Sequence, residues 1–338
     1  MLSLNALWFV LITVLFVGFF FLEGFDFGVG IASRILGKND LERRMVINTI
    51  GPFWDANEVW LLTAGGAMFA AFPEWYATLF SGFYIPFVIL LLALIVRGVS
   101  FEFRGKVENT AWKKTWDAAL FYGSLLPPFL FGVVFANFIR GVPIDGQKEI
   151  VGSLFELLSG YALLGGVAAL LLCVLHGLVF ITLRTTGEMR ERARQAAWKV
   201  GPAVAIVLSA FAVMTYFSTD IFAKHGVLWT ALIALGVVAF AAAGHFLKRE
   251  RDGWAFAMTG TVIILSVASV FIGLFPNVLI SSLSPENSLT IYNAASGAYT
   301  LKVMTYIALT LLPFVLGYQV WSYYVFRKRI KHKEQMEY

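Results

Sequence analysis

Residues 4–33 read LNALWFVLITVLFVGFFFLEGFDFGVGIAS, a stretch without lysine or arginine in which only Glu23 and Asp26 carry charge. A helix rising ~1.5 Å per residue needs about 20 apolar residues to cross a ~30 Å hydrocarbon core, so this stretch predicts a membrane span. Comparable runs recur along all 338 residues and predict nine spans: 4–33, 52–72, 77–96, 118–139, 157–183, 200–219, 226–246, 255–275 and 303–326. The expected fold is therefore an all-α polytopic membrane protein. Composition excludes a soluble enzyme, because 59% of residues are hydrophobic and 14% charged, against roughly 45–50% and about 25% in soluble chains. The longest connection, 276–302, is too short to fold alone, which leaves intramembrane chemistry or chemistry belonging to a partner. Cys173 is the single cysteine, so an intrachain disulfide and a thiolate metal cluster are both excluded.

Lysine and arginine divide between alternate connections. There are 4 in residues 34–50, 5 in 97–116, 5 in 184–199, 3 in 247–254 and 5 in 327–338, whereas the opposite connections hold only Arg140, Lys148, Lys224 and Lys302. This asymmetry predicts an outside N-terminus and a cytoplasmic C-terminus. The net charge of +5 then describes a rim facing lipid headgroups, and nucleic acid is not expected as a partner. The first basic residue is Arg34, so no signal-peptide n-region precedes span one, which is expected to remain in the mature protein.

Ionisable groups inside spans are costly and face a bundle interior, a water path or a partner. Glu23 and Asp26 lie in EGFDFGVG, and Asp55 and Glu58 in PFWDANEVWLL, each pair spaced i, i+3 on one helix face. Spans one and two are joined by a short connection, so they are expected to be antiparallel neighbours with the four carboxylates converging near the basic rim. Close carboxylates cannot all ionise in low dielectric, which suits them to passing protons. The competing reading is structural. Pro52 suits a first helical turn and Asp55 could complement the helix dipole, while Arg97 or Arg104 could neutralise Glu23 and Asp26. Asn57 can bridge either arrangement. Gly24 and Gly28 form a GxxxG pattern, read as close packing, as are Ala64, Gly65, Gly66 and Ala67. Gly28, Gly30 and Ser33 do not make a dinucleotide turn, because no soluble strand precedes them.

Four histidines are present, and haem bound by two of them needs a pair at one depth on facing helices. His225 falls in an outer connection, His332 in the tail and His245 near Lys248, so His176 alone is deep. It reads as a hydrogen-bonded core histidine, with axial haem ligation as the lesser alternative. Trp8, Trp75, Trp112, Trp116, Trp198, Trp229, Trp254 and Trp321 are expected to form interfacial belts near span ends.

EGFDFGVG, then LERRMVINTIGPFWDANEVWLLTAGGAMFAAFP, SGFYIPF and RGVSFEFR, with SLTIYNAASGAYTLKVM near the C-terminus, closely resembles subunit II of cytochrome bd quinol oxidases. Position 56 is alanine where the family more often has glycine. The resemblance implies a complex of the bacterial or archaeal cytoplasmic membrane that oxidises ubiquinol or menaquinol near the outer face. It reduces dioxygen to water with cytoplasmic protons, generating membrane potential without pumping. It further implies that two haems b and one haem d, together with the quinol site, belong to subunit I, and that no cofactor or metal is held by this chain. A bound quinone in this chain and a small third subunit are left open.

The implied architecture is one integral membrane domain over 1–338, with a four-helix bundle in 1–139, a second in 157–275 and a ninth helix at 303–326. Carried over onto this sequence, Glu23 and Asp55 resemble members of the family's proton path. Asp26 holds the GFD position with cation binding or helix stabilisation as its alternatives. Glu58 and Asn57 match the same motif, and Arg97, Glu102 and Arg104 match RGVSFEFR as supports at helix ends. Two other readings stand beside this one: a proton-coupled membrane carrier, and a structural membrane partner with inert acids.

Overall fold

The computed structural model of the protein describes residues 3–330. Residues 1–2 and 331–338, including Lys331, His332 and Lys333, lie outside the described residues. The chain is built from α1 (Leu4–Leu36), α2 (Asp40–Asn48), α3 (Trp54–Ala71), α4 (Pro73–Gly82), α5 (Tyr84–Phe103), α6 (Thr110–Arg140), α7 (Leu154–Leu157), α8 (Gly160–Arg184), α9 (Gly187–Ser218), α10 (Ile221–Lys248), α11 (Asp252–Leu274) and α12 (Ala298–Val325). Eight of these, α1, α5, α6 and α8 to α12, are long and apolar enough to cross a membrane. α3 has only 18 residues, and Asp55, Asn57 and Glu58 lower its hydropathy. At its C-terminal end the Ala71 carbonyl accepts from the Ser296 N–H of the 276–302 loop.

α1 is the central element and packs on α3, α6, α8 and α11, while α5 lies on α6, α9 on α8 and α10 on α11. The contact of α1 with α8 is backbone to backbone. A Cβ on Gly28 would stand 2.0 Å from the Cys173 carbonyl oxygen, and one on Gly177 would stand 2.4 Å from the Gly28 carbonyl carbon. Gly24 is less demanding, since its Cβ would meet Cys173 Sγ at 3.5 Å. Prolines 127, 128, 202 and 313 lie within helices, as neighbouring helices in membrane proteins allow.

Several expected boundaries are corrected. The span expected at 77–96 is interrupted at Phe83 and resumes as α5, displaced toward the basic rim. Pro86 explains the break, because it has no N–H to offer the Gly82 carbonyl. The 34–50 connection contains α2, capped by the Asn39 side chain accepting from the Glu42 N–H at 2.9 Å. The 276–302 loop carries a short antiparallel pair, β1 (Asn277–Leu279) and β2 (Leu289–Thr290). Gly65 and Gly66 meet nothing within 4 Å and do not form a packing surface within the chain. Trp8, Trp75 and Trp229 are core residues, not belt residues. The indoles of Trp8 and Trp229 are accommodated inside by the carbonyls of Leu301 (3.0 Å) and Ser269 (3.1 Å).

The connections rich in lysine and arginine meet at one rim through ion pairs. Asp117 on α6 receives Arg104 at 2.6 Å and Arg43 at 3.0 Å. Asp252 is joined by Arg190 and Arg329, each at 2.9 Å. Glu42 accepts both Nη atoms of Arg192 at 2.7 and 3.0 Å, tying α2 to α9.

Two expectations follow. Gly28→Ala, which forces α1 from α8, should cost about 1–3 kcal/mol, whereas Gly24→Ala should leave thermal unfolding of the purified protein nearly unchanged. For Glu42, the hydrogen bonds from Arg192 outweigh burial and hold its carboxyl below the ordinary value of 4.5. A carboxyl depressed in the folded state stabilises above its ordinary value and loses that contribution as pH falls through the folded value. Glu42→Gln should therefore lower stability by about 1 kcal/mol at pH 7, and melting curves of the two proteins should converge as pH drops below 4.5.

Candidate functional site

Four helices converge on one buried cluster. α1 contributes Glu23 and Asp26, both wholly enclosed, because their i, i+3 spacing puts them on one inward face. α5 contributes Arg97, also wholly enclosed. Its Nη1 pairs with Glu23 Oε1 and lies 3.3 Å from Glu58 Oε2 of α3. The guanidinium also rests over the rings of Phe27 at 4.9 Å and Phe101 at 5.5 Å. Aromatic faces favour a desolvated cation.

Asn57 links this cluster to the last helix. Its Nδ2 donates to Asp26 Oδ2 at 2.7 Å, while its Oδ1 accepts from Gln319 Nε2 at 3.0 Å and from the Tyr323 hydroxyl at 2.8 Å. Two donors on the oxygen and an acceptor at the nitrogen fix the orientation of the amide. Phe53 stacks on Tyr323 with centroids 4.4 Å apart, and Trp54 on Phe101 at 4.8 Å, so the aromatic start of α3 clamps both α12 and α5. Gln319 and Tyr323 are not found by reading the acids. Their signal is two polar groups spaced i, i+4 in the last apolar helix, in the turns that precede its basic end.

The predicted residues do not all come together. Asp55 is exposed and heads an outward stripe of α3 with Val59, Leu62, Gly66 and Phe69. Glu58, one turn along, is half-buried between this stripe and Arg97. Arg97 lies inside α5 and not at its end, because the helix continues to Phe103. Arg104 does not reach Glu23 or Asp26; it pairs with Asp117 and with Asp40 at 2.7 Å. Glu102 is exposed at the rim and makes no ion pair among the described residues. Among the described residues, Arg97 Nε and Nη2 have no hydrogen-bond partner. Among the described residues no group of three or more His, Cys, Asp or Glu side chains is arranged to hold a metal ion.

His176 is wholly buried on α8, stacked on Phe256 at 4.4 Å. Its Nε2 lies 3.2 Å from the Phe21 carbonyl and its Nδ1 lies 2.7 Å from the Thr259 hydroxyl. A carbonyl only accepts, so Nε2 carries the proton and Nδ1 accepts from Thr259. Both nitrogens are committed, which does not fit an axial haem ligand. An apolar cavity of about 340 Å³ lies among α1, α6 and α8 to α11, walled by Phe20, Phe135, Leu172, Phe211 and Val267. The Ser266 and Ser269 hydroxyls and the Trp229 indole on its wall are turned to backbone carbonyls. This lining fits an acyl or isoprenoid chain better than the polar head of a quinone.

The family model for cytochrome bd terminal oxidase subunit II matches residues 4–326. The chain is 57% identical to cytochrome bd ubiquinol oxidase subunit 2 of Bacillus subtilis (strain 168), with 100% of each chain covered. It is 36% identical to cytochrome bd-I ubiquinol oxidase subunit 2 of Escherichia coli (strain K12), covering 99% of this chain and 97% of that one. Among solved structures, a chain of the bd oxidase from Geobacillus thermodenitrificans matches with a TM-score of 0.77, covering 96% of this chain and 99% of the other at 16% identity. That last likeness carries the fold alone.

Breaking a buried ion pair from one side leaves an uncompensated charge and costs about 3–5 kcal/mol, while replacing both partners by apolar groups is often neutral. Arg97→Met should therefore sharply lower the melting temperature of the purified protein. Adding Glu23→Met should restore part of the loss, and absence of any recovery would show that Glu23 is not the principal partner.

Proposed function

The chain belongs to the cytochrome bd terminal oxidase subunit II family, and from that premise we propose that, within a quinol oxidase complex, it supports a haem-bearing subunit I and supplies it with protons. Two haems b and one haem d in subunit I provide the redox chemistry that reduces dioxygen to water; the residues of this chain bind, orient and move protons. The proposed topology has nine spans, with α3 as the second, an outside N-terminus and a cytoplasmic C-terminus. Helices α1, α3, α5 and α6 form one four-helix bundle, α8 to α11 the other, and α12 is the additional helix.

The observation that carries this reading is the convergence of Glu23, Asp26 and Glu58 around the single cation Arg97. One guanidinium balances one carboxylate, and low-dielectric surroundings leave the remaining acids to be neutralised by bound protons. Such a cluster stores exchangeable protons beside the basic rim. Glu58 leads from it toward the outward face of α3, where Asp55 stands exposed. A carboxylate on an otherwise apolar outer face is costly against lipid, so the stripe from Asp55 to Phe69 suits a protein partner. We assign that partner as subunit I and Asp55 as the group that hands protons across.

Asp55→Asn in the assembled oxidase should retain subunit stoichiometry and the visible haem spectrum while slowing oxygen consumption by at least ~10-fold, below the usual contribution of a positioned proton-transfer group. Glu23→Gln should act in the same direction. Unchanged turnover in both, with haem content intact, would establish the acids as structural ion-pair members only.

A further inference from the structure

The turn between α10 and α11 reads Lys248-Arg249-Glu250-Arg251-Asp252, three bases and two acids mixed along the sequence that take different directions in space. Glu250 has φ of 58°, the left-handed conformation that glycine normally supplies at a helix C-terminus. Its N–H and that of Arg251 close the helix end on the Leu247 and Phe246 carbonyls at 3.3 and 3.0 Å. A non-glycine residue held there is strained, and the carboxylate accounts for its presence: Glu250 pairs with Arg190 at 3.2 Å and Arg194 at 3.1 Å on α9. Asp252 is turned inward, buried against Arg190, Arg194 and Arg329. Both acids of the turn are thus engaged by arginines of other segments, Asp252 in the interior and Glu250 at the exposed surface of the rim.

The bases are left outside. Lys248, Arg249 and Arg251 are exposed, and none has a carboxylate partner among the described residues. Together with His245, Arg249 and Arg251 border an open recess of about 380 Å³. Arg251 also borders a second recess of about 580 Å³, continued by Trp254 and Ala257 along the start of α11. Trp254 is 58% exposed, and Trp198 of α9, at 47%, lies on the same rim. Exposed tryptophans at the ends of apolar helices mark the headgroup level of a bilayer.

We infer that this turn binds the phosphate of an anionic phospholipid, with Arg249 and Arg251 holding the headgroup and the groove past Trp254 receiving the upper acyl chain. The chemistry selects this occupant. Arginine pairs bidentately with phosphate oxygens, unpartnered basic groups at a membrane surface attract anionic lipid, and the recess shared through Arg251 joins a charged wall to an apolar one. A free anion would have no use for the apolar half, and a zwitterionic phospholipid, whose phosphate is already balanced by its own ammonium, would leave the net positive charge of the turn uncompensated. The assignment is independent of the proton reading.

The test uses the assembled complex, delipidated in detergent and titrated with phosphatidylglycerol, phosphatidylcholine or inorganic phosphate, with retained lipid counted by native mass spectrometry. The Arg249→Gln/Arg251→Gln protein should retain about one phosphatidylglycerol fewer and bind it more weakly by on the order of tenfold, with phosphatidylcholine retention unchanged and inorganic phosphate failing to displace the lipid. Equal retention by the variant overturns the site, equal loss of phosphatidylcholine reduces it to an apolar groove, and displacement by inorganic phosphate reduces it to a simple anion site. Should the double variant fail to assemble, Arg249→Gln alone is read by the same criteria, since that side chain has no carboxylate partner among the described residues.

Discussion

A guanidinium sealed from solvent holds the first half of the molecule in register. Arg97 stands between Glu23 of α1 and Glu58 of α3, with Phe27 and Phe101 against its faces. Room for it depends on Gly123 of α6, where a Cβ would come within 2.7 Å of both Arg97 Cβ and the Ala93 carbonyl oxygen. Four helices are thereby committed to one arrangement around one cation. Desolvating these charges offsets much of their attraction, so the cluster is better understood as setting which arrangement forms than as the source of stability. Between helices in a bilayer, where lipid tails are as apolar as the side chains, close packing supplies the attraction and discriminates only weakly among rotations that present similar surfaces.

Asn57 extends that constraint to α12. Among the residues of this helix only Leu301 is buried, and its side-chain anchors are few: Trp8 bonds to the Leu301 carbonyl and Thr305 at one end, and Asn57 receives Gln319 and Tyr323 toward the other. The same amide holds Asp26. A shift of α12 that broke either donor would leave Asn57 free to turn, and with it the hydrogen bond to a buried carboxyl group. The position of a nearly detached helix and the state of a deep acid are therefore mechanically connected through one side chain.

Much of this was legible in the sequence because membrane burial makes charge conspicuous. Glu23, Asp26 and Glu58 stand out in apolar runs, and alternate connections separate by charge, the basic ones meeting at one rim through the ion pairs of Asp117 and Asp252. Less was legible where a residue's role depends on a partner elsewhere. Arg97 marks a helix end by charge, yet its helix continues because Glu23 and Glu58 neutralise it inside. Asp55 shares a sequence motif with Asn57 but points the opposite way, since two positions separate them on a 3.6-residue turn. Gln319 and Tyr323 are unremarkable as a pair in an apolar helix and acquire meaning only when Asn57 is placed beside them. Trp75 lies at a span end by sequence, but tertiary packing overrides that position and buries it.

The four buried acids among the described residues fall into two kinds, and the difference bears on function. Asp117 and Asp252 lie near the rim and have two and three arginines around them. Networks of that composition bind elements together and carry no surplus negative charge. Glu23 and Asp26 share one arginine, which Glu58 also claims. If the interior cluster existed only to fasten helices, the rim shows that the chain has a supply of arginine with which to balance it. The imbalance at depth, where an uncompensated carboxylate is most costly, is the physical ground on which the proposed proton role of these side chains rests.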